Sequence, residues 1–173
     1  PPTLAEWARH GGSVTIHGRR LFVIDAGPRD ADIILILHGY PTCSYDYWRV
    51  LTDLTANYRV ILHDYLGFGL SDKPRDYSYS LIEQADMALA LWESLDARRA
   101  HLVAHDYGTS VATEILDRCH RGDDRIDLTT LTLCNGSVFI EMARLRAVQK
   151  LLRNPLAGPL VARLMTRRLF DRN

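Results

Sequence analysis

The sequence predicts an α/β protein with a mostly parallel sheet and an antiparallel hairpin at its start. Three observations carry this. An apolar run without alternation, DIILIL at 32–37, suits a strand buried on both faces, as parallel strands are. Strand-like and helix-like segments then alternate as far as residue 134, the pattern of strands joined by crossover helices. With 173 residues, 47% of them hydrophobic and 24% charged, the chain is long enough for one domain with a real core.

Element by element, SVTIH (13–17) and RLFVID (20–25) flank Gly18-Arg19 and read as a hairpin. After Gly27-Pro28 comes the buried strand that ends in HGYPT, residues 38–42. A polar-aromatic helix is expected from Tyr45 to Thr55, a strand from Tyr58 to His63, and a Gly-rich loop, DYLGFGLSDKP, from Asp64 to Pro74. Ser80 opens a helix whose Leu81, Ala85, Ala88, Leu89, Trp92 and Leu95 recur at helical spacing, with Glu83 completing a capping-box pattern. A strand at His101–Ala104, a helix at Ser110–Cys119 and a strand at Asp127–Cys134 follow. From Glu141 the chain turns Leu- and Arg-rich and helical, with breaks at Asn154-Pro155 and Gly158-Pro159 and no further strand. Residues 1–140 therefore read as the N-terminal part of a core, and 141–173 as the start of a helical insertion.

Composition removes several classes of function. Twenty-one Lys and Arg balance twenty-one Asp and Glu, which gives the whole chain no electrostatic pull toward nucleic acid or an anionic membrane. Cys43, Cys119 and Cys134 are odd in number and lack ligand spacing, so neither a disulfide framework nor a metal site is expected, and a reducing, cytoplasmic setting fits. No window approaches the ~18 apolar residues of a membrane span. The GxG of residues 67–69 lacks both GK[ST] and GxGxxG, so no nucleotide cofactor is expected. A small-molecule substrate remains, with the oligomeric state open.

The chemistry concentrates in HLVAHDYGTSVA, residues 101–112, where an apolar strand meets a helix with no loop between. Such a turn needs small residues around its centre, here Ala104, Gly108 and Thr109, so that the middle side chain stands exposed above the sheet. The middle side chain is Asp106, a carboxylate able to attack an electrophilic carbon. The competing reading is an ordinary helix N-cap. On HGYPT, the backbone N–H of Tyr40 is expected to face that of Tyr107 across an anion-sized gap, as an oxyanion hole. His38, Gly39, His105 and Gly108 are expected to line the pocket or support these loops. His63 and Asp64 are expected to stabilise the Gly-rich turn, and His101 and His120 to be structural.

The segments HGYPT, DYLGFGLSDKP and VAHDYGTSVA, in this order, resemble the α/β-hydrolase superfamily, specifically its branch with an aspartate nucleophile: epoxide hydrolases and haloalkane dehalogenases. The elbow HDYG and the stretch from CNGSVF through QKLL to RLM look most like the mesoderm-specific transcript protein subgroup. The resemblance implies that Asp106 forms an alkyl ester, which a histidine-activated water then hydrolyses. It also implies that the histidine comes late in the fold, so the catalytic His and its acid are expected outside this chain and the 173-residue form is expected to be inactive. Dehalogenases usually carry Asn and Trp where this chain has Tyr40 and Tyr107, which favours the epoxide-hydrolase-like reading. A dehalogenase, or a ligand-binding homologue without catalysis, is the alternative.

Overall fold

The computed structural model describes residues 1–136, 147–152 and 154–164, and the chain divides into two compact units, Pro1–Val138 and Phe139–Asn173. The first unit holds a six-stranded sheet in the order β1-β2-β4-β3-β5-β6, built from β1 (Gly12–Ile16), β2 (Arg19–Ala26), β3 (Ile33–Leu37), β4 (Arg59–His63), β5 (Arg99–His105) and β6 (Asp127–Cys134). β1–β2 and β2–β4 pair antiparallel; β3–β4, β3–β5 and β5–β6 pair parallel. The expected sheet is therefore present. The hairpin turn sits one residue earlier than the sequence indicated, at His17-Gly18, both with positive φ (49° and 75°), the backbone that a tight two-residue turn requires.

Helices cover both faces. α3 (Leu81–Ser94) and α4 (Tyr107–His120) pack Ala85, Ala88, Leu91, Trp92, Val111 and Ile115 onto Leu35, Leu37, Ile61 and Leu102. On the other face, Trp7 of α1 (Leu4–Ala8) and Leu51 of α2 (Leu51–Thr55) cover Ile24, Ile34, Ile36, Val60 and Leu62. Each fully buried Leu or Ile contributes roughly 1.5–3 kcal/mol. Because β3 and β4 are covered on both sides, their sequences need no alternation.

Three elements differ from expectation. The helix expected over Tyr45–Thr55 is two pieces, a 3₁₀ turn at Ser44–Tyr47 and α2. Neither piece has a side-chain cap, and the first is tied elsewhere: the Trp7 indole donates to Ser44 Oγ at 3.1 Å. α1 was not anticipated, although Thr3 and Glu6 form a complete capping box around it. At α3 only half of that motif forms, with Ser80 Oγ accepting from the Glu83 N–H while the Glu83 carboxylate turns to the Ser78 hydroxyl.

The second unit contains α5 (Ala147–Leu152) and α6 (Gly158–Leu164). The break falls at Asn154–Ala157, and Gly158-Pro159 opens α6 instead of interrupting it, because proline in a first helical turn forfeits no intrahelical bond. The helical readings at 141–146, 153 and 165–173 lie outside the described residues.

Candidate active site

The chain runs from β3 to β4 on one side of β3 and then returns to place β5 on the other, so the strand order reverses between β3 and β5. Ligands of open α/β sheets bind beyond the strand ends at such a reversal. Two turns leave the sheet at that point: His38–Thr42 after β3, and the junction of β5 with α4 at Asp106.

Asp106 has φ 50° and ψ −115°, a left-handed conformation unusual for a residue with a side chain. Neighbouring small residues make it tolerable. A Cβ on Gly108 would stand 2.5 Å from the Leu37 carbonyl oxygen, so α4 approaches β3 as closely as only glycine permits. A Cβ on Gly39 would stand 2.8 Å from Asp106 Cβ and 2.9 Å from His105 Nδ1. Thr109 Oγ1 donates to the Asp106 carbonyl at 2.7 Å and closes the turn.

The two turns meet at one atom. Asp106 Oδ1 accepts the backbone N–H of Tyr40 at 2.8 Å and that of Tyr107 at 2.6 Å. The gap foreseen between those two donors is thus occupied by a carboxylate oxygen of Asp106 itself. This differs from ordinary capping, in which the cap residue is extended and its side chain accepts from the second or third helical N–H. Here the acceptor takes the first helical N–H and one from a turn 66 residues away in sequence. Oδ2 accepts no hydrogen bond among the described residues.

His38 props this turn from below. It is fully buried, its Nδ1 lies 2.8 Å from the Gly39 carbonyl, and its Nε2 lies 3.2 Å from the Tyr65 backbone nitrogen. The Tyr65 N–H needs an acceptor and the Gly39 carbonyl a donor, which selects the neutral tautomer protonated on Nδ1. Burial also holds the His38 imidazole below its ordinary pKa. An aromatic group surrounds it: the Tyr65 ring lies 4.5 Å from His38, tilted by 54°, Phe68 lies 5.5 Å from His38 and 6.2 Å from Tyr40, and Tyr107 packs on Tyr65 and Phe68 at 5.5 and 5.9 Å. The Tyr107 hydroxyl lies 3.5 Å from the Tyr79 carbonyl.

Asp64 does more than hold its own turn. Its buried carboxylate accepts from the Ser44 N–H and the Leu70 N–H, each at 2.7 Å, and so ties the segment after HGYPT to the Gly-rich loop. A Cβ on Gly69 would stand 2.0 Å from Asp64 Oδ2, which explains glycine there. The spacing of the motif alone did not reveal this link, because the partners are backbone amides.

His63 is a correction. It is buried, yet neither ring nitrogen has a hydrogen-bond partner among the described residues, so it does not brace the turn by bonding. Burial, with His38 nearby, pushes its pKa down to about 3. A group that folds only when neutral contributes full stability above its unfolded pKa, near 6.5, and loses it as pH falls toward the folded value. His63→Leu should therefore flatten the decline of stability between about pH 6.5 and 4, and should be neutral or stabilising at pH 5, since an unpaired polar group is replaced by an apolar one. Urea titrations of both proteins at several pH values measure this. A parallel decline in the two would contradict it.

His105 closes β5 beside Gly39 and is half-buried. His101 lies in β5 with Nδ1 2.8 Å from Thr130 Oγ1, and His120 ends α4. A cavity of about 400 Å3, lined by Ala31, Asp32, Ile33, Arg99, Ala100, His101 and Thr129, opens at the N-terminal ends of β3 and β5, the opposite end of the strands from Asp106. Its Arg99 is already engaged with Thr129 and Asp127. Among the described residues no group of His, Cys, Asp and Glu could hold a metal ion, and no helix is long and apolar enough to cross a membrane.

Comparison with known proteins shows the family of the fold. The family profile described as alpha/beta hydrolase fold matches residues 32–147. LipZ of Mycobacterium tuberculosis (strain ATCC 25618 / H37Rv), placed by its name among hydrolases, is 44% identical over 171 residues, covering 99% of this chain and 58% of LipZ. The mesoderm-specific transcript homolog protein of Bos taurus is 40% identical over 178 residues, covering 99% of this chain and 53% of that protein. The chain thus spans somewhat more than half the length of these curated relatives. A haloalkane dehalogenase of Mycobacterium marinum is 35% identical over 127 residues, covering 72% of this chain and 40% of the enzyme. Among solved structures, haloalkane dehalogenase DbeA from Bradyrhizobium elkanii USDA94 matches with TM-score 0.75 and 27% identity, over 86% of this chain and 51% of that one.

Proposed function

Because the chain belongs to the alpha/beta hydrolase fold family, we propose that it carries the nucleophile half of a hydrolase that works through an aspartyl ester. Asp106 is the nucleophile. One observation carries this reading: Oδ1 of Asp106 is held by two backbone N–H groups, at 2.8 and 2.6 Å, while Oδ2 accepts no hydrogen bond among the described residues.

The chemistry follows from that asymmetry. Oδ2 attacks a substrate carbon and forms a C–O bond; the bond from that carbon to its leaving group breaks, and the leaving atom takes the electron pair. Oδ1 becomes the ester carbonyl oxygen, already seated between Tyr40 N–H and Tyr107 N–H. When water adds to the carboxyl carbon of Asp106, negative charge develops on Oδ1, where those two dipoles stabilise it before reorganisation is needed. Collapse expels the product alcohol and returns a carboxylate that contains the water oxygen. His38 and Gly39 position Tyr40, while Gly108 and His105 shape the elbow. The histidine and acid that activate the water are not assigned to this chain, so the 173-residue form by itself is read as inactive.

The preferred substrate is a small, largely apolar epoxide. A specific feature favours it over a haloalkane: the two places next to the elbow and the HG turn hold Tyr107 and Tyr40, and the Tyr107 hydroxyl faces the Tyr79 carbonyl. A dehalogenase remains the second reading, supported by the named relatives; release of halide from haloalkanes without epoxide opening would select it. Residues 1–140 serve as core and 141–173 as the start of the helical cap. Turnover by the whole protein in ¹⁸O-water should, over several cycles, place label in the Asp106 carboxylate, read by peptide mass spectrometry. An active enzyme with unlabelled Asp106 would overturn the assignment.

A further inference from the structure

We infer that Lys73 is a positioning residue: its ammonium locks the Gly-rich loop so that the Phe68 ring braces the HGYPT turn and keeps the Tyr40 N–H on Oδ1 of Asp106. The catalytic consequence rests on the hydrolase reading, whereas the brace itself rests on geometry.

Lys73 Nζ donates to the carbonyl oxygens of Gly69 at 2.8 Å, Ser71 at 3.0 Å and Phe68 at 3.4 Å. An ammonium has three N–H donors and no acceptor, so all of its donors are spent on the backbone of its own loop. Two backbone bonds close the same loop, from the Ser71 N–H to the Phe68 carbonyl at 3.1 Å and from the Gly67 N–H to the Asp72 carbonyl at 2.9 Å. Bonds from a charged donor are stronger than neutral ones, so an ammonium that joins residues 68, 69 and 71 fixes the Phe68 backbone more firmly than these two bonds do. Phe68 is the residue this loop presents to the site. Its ring lies 5.5 Å from His38, 6.2 Å from Tyr40, 6.2 Å from Tyr65 and 5.9 Å from Tyr107. It therefore packs against the imidazole beneath the turn and against the rings of both residues whose amides hold Oδ1.

The two amides do not depend on this packing equally. Tyr107 follows Asp106 directly, and the backbone of the elbow brings its N–H to Oδ1. Tyr40 belongs to a turn 66 residues away in sequence, so the place of its N–H depends on how the loops pack. Loosening the Gly-rich loop should release Tyr40 and spare Tyr107.

Amide hydrogen exchange and steady-state kinetics of the whole protein test this together. Lys73→Met keeps the aliphatic stem and removes every donor. Exchange at the Tyr40 amide should rise about tenfold in this variant, while Tyr107 and the strand amides of β3 and β5 keep their wild-type rates. kcat should fall about tenfold with KM kept, because a donor is displaced and not deleted. Phe68→Leu should cost a similar factor, and Lys73→Met made in that background should add less than about twofold, since both act through one ring. Arg75→Met, which removes an exposed charge from the same segment, should change neither exchange nor kcat. Wild-type exchange at Tyr40 in Lys73→Met would overturn the brace. So would additive losses in the double variant, a loss carried by KM, or equal loosening of β3 and β5, which would make Lys73 a support of the fold alone. Turnover that survives Asp106→Ala would strike the hydrolase reading instead, and the exchange rates would still decide the brace.

Discussion

Replacing Asp106 by alanine should lower kcat/KM of the whole enzyme by on the order of 10⁴-fold or more, the scale seen when a covalent nucleophile is removed. The loss should lie in kcat. What remains at the site, two N–H groups with no carboxylate between them, can polarise a substrate but cannot form the ester. Comparison with Asp106→Gly then separates chemistry from strain. Both variants lack the carboxylate, so their difference in stability reports the cost of placing a Cβ at φ 50°, ψ −115°. The glycine variant should be the more stable by about 1–2 kcal/mol, although alanine is the better helix former. Urea unfolding measures the pair. An alanine variant at least as stable as the glycine variant would mean that the elbow stores no strain, and unchanged turnover in either would remove Asp106 from the mechanism.

Gly39→Ala should have the second largest effect on activity. The new Cβ would stand 2.8 Å from Asp106 Cβ, 2.9 Å from His105 Nδ1 and 3.2 Å from Asp106 Oδ1. None of these can withdraw as the end of a long flexible chain would. The turn must shift instead, carrying the Tyr40 N–H away from Oδ1. Loss of one donor of this kind lowers kcat by about 10²–10³. KM should change little, because the donor acts on charge that develops after binding. Overpacking should cost a further 1–3 kcal/mol or so of stability. Equal losses in KM and kcat would point to a blocked pocket, and Gly39→Ala with full kcat would show that the Tyr40 amide is not a catalytic donor.

The sequence by itself determined the fold class and the place of the elbow. The uninterrupted apolar run DIILIL suits a strand buried on both faces, and the strand that ends at His105 enters a helix at Tyr107 with Asp106 alone between them. These are local properties, set by side-chain period and by backbone sterics. Tertiary structure decided the rest. It split the Tyr45–Thr55 helix, because Ser44 is bound to Trp7 and Asp64, neither of them near in sequence. It left His63 buried without a partner and made Asp64 a link between two loops. It also put an oxygen of Asp106 into the space foreseen for an oxyanion. Each of these depends on which backbone amides the fold brings within hydrogen-bond reach, and a backbone amide is the one donor that every residue but proline carries, so no residue letter announces it.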